Sequence, residues 1–193
     1  MRFTLLAAAS VLAFAAAPAV AAAAPVAAVV AQQDVTDAEL DSYVAAEEGV
    51  RAVQAQVQGQ ITAEQQAAMV AAIEGAGLTL DRFNAISQAV QAGDEILAAR
   101  LAVARAPESP AGSVGATASD AELGQFAAAM ASVRPIAEQL NGAAPTAEQQ
   151  TAMAEAIASS GLALERFNAI SAALPSDPRL QARVALAAAR SEG

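Results

Sequence analysis

GLTLDRFNAIS, residues 77–87, returns 84 positions later as GLALERFNAIS, residues 161–171. The phrase lies inside a longer match. TAEQQAAMVAAIEGAGLTLDRFNAIS (62–87) and TAEQQTAMAEAIASSGLALERFNAIS (146–171) are identical at 18 of 26 positions, more than shared alanine content explains. The likeness starts further back, with DAEL at 37–40 and again at 120–123. Repetition at a fixed spacing is the mark of a duplicated unit. The expected organisation is one helical repeat over 35–105 and a second over 119–193. Between them, residues 106–118 are rich in Pro, Gly and Ser, the composition of a flexible linker.

Each copy reads as helix only, because Ala, Gln, Glu and Leu abound while β-branched residues, aromatics and hairpin dipeptides are few. The expected fold class is all-α: two tandem homologous small bundles of three to four helices each. The first helix opens on a capping box, Thr36-x-x-Glu39 or Ser119-x-x-Glu122. Its apolar stripe runs Leu40, Tyr43, Ala46, Val50, Val53, Val57, Ile61 in one copy. In the other it runs Leu123, Phe126, Met130, Val133, Ile136, Leu140, with Pro135 expected to kink or break it. A second helix starts at Thr62 or Thr146, buries Met69 and Ile73 or Met153 and Ile157, and stops at Gly77 or Gly161. A third follows, and a fourth opens at Asp94, or at Asp177 with Pro178 in its first turn. The fourth is expected to bury Ile96, Leu97 and Leu101, or Leu180, Val184 and Leu186. Cores of seventy residues are thin, so the copies are expected to pack together or to form a homodimer.

The repeated phrase is therefore first a packing joint. Gly77 or Gly161 stops one helix and Leu78 or Leu162 staples the turn. Phe83 with Ile86, or Phe167 with Ile170, then anchors the next helix on its inner face. Its polar members, Arg82, Asn84 and Ser87 and their counterparts Arg166, Asn168 and Ser171, form the candidate binding patch, shown twice. The plainer alternative pairs each Arg with a carboxylate of a neighbouring helix and bonds each Asn to backbone.

Composition narrows the chemistry. The chain of 193 residues has no Cys, His or Trp, and its ten basic residues are all Arg. Thiolate, imidazole and Cys–His metal chemistry are thereby excluded. The carboxylates that stand close in sequence point to different sides of a helix, which suits neither acid–base catalysis nor a metal site. No phosphate loop and no calcium loop can be read. The expectation is a non-enzyme without cofactor or metal. A net charge of −10 argues against nucleic acid and against anionic lipid surfaces.

The first 31 residues read as no part of the fold. Arg2 precedes the apolar run FTLLAAASVLAFAAA (3–17), and Ala19-Val20-Ala21 is a small-x-small cleavage site. Residues 1–21 are expected to be a cleaved signal peptide and 22–34 a disordered lead-in. An uncleaved anchor is the competing reading, weakened by Pro18 and Pro25. Without stable membrane insertion after cleavage, the mature protein would be periplasmic or secreted from a bacterium.

The order GL-x-hydrophobic-(D/E)-R-F-N-x-I is followed by an acidic turn, as in Ser176-Asp177-Pro178-Arg179-Leu180, and a basic helix end. With the Asp-x-Glu-Leu run leading to Tyr43 and Phe126, it resembles the domain of unknown function 4168 family, over nearly the whole mature chain as two copies. The resemblance implies a small exported bacterial helical domain and carries no established activity. Copy one departs from it with Gly93-Asp94-Glu95 in place of Asp-Pro. Ile61-Thr62-Ala63-Glu64-Gln65 is also similar to the L-T-x-x-Q motif of small helical periplasmic chaperones of the spheroplast-protein type, though those work from a basic surface. The expected role is an interaction or envelope-associated module with a protein partner whose identity is unknown. The alternatives are a chaperone-like stress protein and a small-ligand or lipid carrier.

Overall fold

The computed structural model describes residues 35–140 and 143–192; the expected leader (1–21) and lead-in (22–34) lie outside the described residues. Within them the chain forms nine α-helices and no strand. The first four are α1 (Asp37–Gln54), α2 (Ala63–Gly75), α3 (Leu80–Gln91) and α4 (Glu95–Arg105). A short α5 (Val114–Thr117) leads into α6 (Asp120–Gln139), α7 (Ala147–Ser159) and α8 (Leu164–Ala173). A 3-10 turn, Leu174–Ser176, then precedes α9 (Pro178–Glu192).

The starts of these helices follow from sequence chemistry. Thr36 Oγ1 accepts from Glu39 N at 3.2 Å while Glu39 Oε2 accepts from Thr36 N at 2.8 Å, a closed capping box. Ser119 and Glu122 repeat it with the same two distances. Thr62 with Gln65 and Thr146 with Gln149 close boxes at the heads of α2 and α7. At the end of α2, Gly77 adopts φ +89° and its N–H bonds to the Glu74 carbonyl, so glycine's freedom in the left-handed region sets the turn. Gly161 closes α7 in the same way, with φ +81°.

Two helices depart from the expected stripes. α1 stops at Gln54, where the N–H groups of Gln56 and Val57 bond three residues back to Val53 and Gln54; Gly59 then takes φ +124°, and Ile61 beyond it is exposed. In α6 Pro135 does not break the helix, which continues to Gln139 with the proline on its exposed side. Met130 points outward and Ala129, fully buried, fills the inner seat instead. Ile96 is exposed as well, whereas Leu97 and Leu101 are buried.

The apolar side chains gather in two clusters. Leu40, Tyr43, Ala46, Met69, Ile73, Ile86 and Leu101 lie in the first, Leu123, Phe126, Ala129, Ile157, Ile170 and Leu180 in the second. Helix α1 packs on α2 and α4, and α6 packs on α7 and α9. Helix α9 also lies against α4, so the last helices of the two halves meet. The Pro/Gly/Ser segment between them, expected to be flexible, is held in place. Arg183 donates to the carbonyls of Gly115 and Ala118, each at 2.9 Å, and Val114 packs on the second cluster. Arg179 donates to the Ala106 carbonyl at 3.2 Å and Ser109 to Asp177 at 2.9 Å.

Candidate functional site

The structure divides the six residues of the expected patch three ways. Arg82 turns away from solvent towards α1, where its Nε donates to Glu39 Oε1 at 2.6 Å and its Nη2 to Oε2 at 3.0 Å. Arg166 makes the same fork on Glu122, at 2.7 and 3.3 Å. Each carboxylate is the one already closing a capping box, so a single group ties the head of the first helix to the head of the third. A bidentate Arg–carboxylate pair is among the stronger polar contacts a protein makes. Together the Arg fork and the Thr36 backbone N–H hold the Glu39 carboxyl at about 2, against an ordinary 4.5. Arg166 and Ser119 hold Glu122 at about 2 as well.

Ser87 faces inward. Its hydroxyl donates to the Phe83 carbonyl at 2.9 Å and meets Tyr43 Oη at 2.9 Å. Burial raises the Tyr43 phenol above its ordinary value, with the Ser87 contact working the other way. Its ring stacks on Phe83 with centroids 4.9 Å apart; Phe126 and Phe167 repeat the distance in the second half. Ser171 meets no hydroxyl there, because Phe126 occupies the place of Tyr43.

Asn84 and Asn168 alone are exposed, and among the described residues neither bonds to backbone. The apolar members stand where the joint needs them. Ile86 and Ile170 are fully buried, Leu78, Leu162 and Phe167 are buried, and Phe83 is half-buried against the first cluster. The arrangement is chemically a clamp. Among the described residues no group of three metal-ligating side chains comes together.

Sequence reasoning found the arginines but not the particular carboxylates they grip. The clue is an echoed separation of opposite charges. Glu39 and Arg82 stand 43 apart, Glu122 and Arg166 44 apart. A second pair of ion pairs obeys the same rule: Arg100–Asp37 and Arg183–Asp120, each 2.6 Å long and 63 residues apart. No helix among the described residues is long and apolar enough to cross a membrane.

No curated protein and no solved structure matches the chain. A family model does match, and its stretch carries the second copy of the phrase: residues 143–184 are similar to the Domain of unknown function (DUF4168) family.

Proposed function

We propose that the chain is an exported, non-enzymatic interaction module, made of two homologous helical units in tandem, that docks a protein partner in the bacterial envelope. One observation carries the reading. Of the polar residues written twice, Arg82 and Arg166 are locked into clamps, whereas Asn84 and Asn168 stand exposed beside them in both halves. A rigid scaffold offering the same amide twice suits docking better than turnover, and the chain's lack of His, Cys and Lys removes imidazole, thiolate and amine chemistry. The matched caps, ion pairs and aromatic pairs support the duplication, and the apolar leader with its small-x-small site supports export.

Photo-crosslinking in living cells, with a probe at Asn84 and then at Asn168, tests the docking. One discrete adduct at either position is the expected result. A ladder of many adducts would replace the reading with the chaperone-like one, and no adduct at either position would leave the phrase as a joint alone.

A further inference from the structure

A cleft of about 280 Å³ opens where α4, α9 and the heads of α1 and α6 meet. Its floor is apolar: Leu40 and Leu123 from the first helices, Val103 and Leu186 from the last. These come in pairs 83 residues apart, as do Ala104 and Ala187 beside them. The two ion pairs of the wall, Arg100–Asp37 and Arg183–Asp120, also correspond at that spacing and balance each other.

The residues that break the correspondence all change the charge in one direction. Arg179 and Arg190 line the cleft, while 83 positions before them stand Ile96 and Pro107. Asp41 lines it from the first half, but its counterpart in the second is Gly124. Two arginines are therefore set against one aspartate, in a chain whose net charge is −10. Neither arginine has a carboxylate partner among the described residues, although Arg179 donates from its Nη1 to the Ala106 carbonyl and keeps only its other N–H groups for a ligand. They stand eleven residues apart on α9, about 16 Å at 1.5 Å per residue, with Leu186 and Ala187 between them. The cleft is thus cationic towards both ends and apolar along its middle.

We infer that this cleft binds a small linear dicarboxylate with an apolar body, one carboxylate on Arg179 and the other on Arg190. Guanidinium forks match carboxylates in planar, bidentate geometry. The volume sits at the small end of ligand pockets. The inference rests on the charges lining the cleft and is independent of the docking surface at Asn84 and Asn168.

The test is titration of the full chain with sebacate, octanoate and octylamine, followed by calorimetry and by the methyl resonances of Leu186 and Val103. Sebacate is expected to saturate and to bind at least tenfold more tightly than octanoate; octylamine is expected not to bind. Arg190→Gln should reduce sebacate to the affinity of octanoate, and Asp41→Asn should tighten it about threefold by removing the opposing charge. Arg51→Gln with Arg134→Gln, two arginines outside the cleft, should change nothing. Equal binding of octanoate and sebacate, loss of binding in that control, or no saturable shift would each overturn the assignment.

Discussion

Asp94 and Asp177 do the same local task in different surroundings. Each caps the last helix of its half, accepting at 2.9 Å from the backbone N–H three residues on. Yet Asp94 is exposed, while Asp177 is only 5 % exposed. The difference comes from the segment before α6. Ser109 and Gly115 lie over Asp177, so close that a Cβ on Gly115 would overlap Asp177 Oδ2 and come within 2.7 Å of Ser109 Oγ. Among the described residues nothing covers the first cap in this way. The two halves thus diverge where the chain crosses between them: the segment upstream of Ser119 becomes part of the second half's interior.

That comparison can be broken at several points, and the largest effect is expected in the aromatic pairs. Phe126→Ala empties a seat that is 1 % exposed and should cost about 4 kcal/mol in urea unfolding, with Phe167→Ala near 3. Phe83→Ala should cost less than Phe167→Ala, because Phe83 is only half-buried. Equal costs would mean that the two joints are packed alike after all.

Next comes the strap that residues 106–118 lay over Asp177. Gly115→Ala should destabilise by about 2 kcal/mol through overlap with Asp177. Gly124→Ala meets nothing within 4 Å and should gain up to about 1 kcal/mol of helix propensity, measured in the same way.

The clamps should behave alike in both halves. Glu39 and Glu122 sit at about 2 in the folded chain, below the ordinary 4.5. Their contribution is therefore complete above about pH 4.5 and lost as the pH falls towards 2. Unfolding from pH 6 to pH 2.5 should show this loss, and Glu39→Gln with Glu122→Gln should flatten it. At neutral pH, Arg82→Ala and Arg166→Ala should each cost about 1 kcal/mol, since both pairs are partly open to water.

Of similar size is a polar contact that the first half has and the second lacks. Ser87→Ala should cost about 1 kcal/mol by stranding the half-buried Tyr43 hydroxyl, while Ser171→Ala should be near zero. Asn84→Ala and Asn168→Ala should stay within about 0.5 kcal/mol in thermal melts, as exposed positions do.

Much of this architecture was legible in local chemistry. Thr36, Thr62, Ser119 and Thr146 announce helix starts because their hydroxyls satisfy backbone donors three residues on. Gly77 and Gly161 mark ends because the turn needs positive φ. The periodic stripe misled where it met alanine. Ala129 takes a buried seat that periodicity would have given to Met130, since at a close helix crossing a small side chain fits where a long one does not. The separation of Arg82 from Asn84 was beyond local reading too. The two stand within one turn on opposite sides of α3, and only the position of α1 decides which side finds a carboxylate, so that Arg82 meets Glu39. The linker was misread for a related reason. Its Pro and Gly content rules out a long helix and leaves only the four residues Val114–Thr117 helical, which is not the same as a chain without partners.

The strap also moves the boundary at which the molecule can be divided. By sequence the second unit begins at Ser119, but a fragment starting there would leave Asp177 open to solvent and Arg183 without the carbonyls of Gly115 and Ala118. A piece that keeps these contacts begins no later than Ala106, so thirteen residues that look like a spacer belong, physically, with the half they precede.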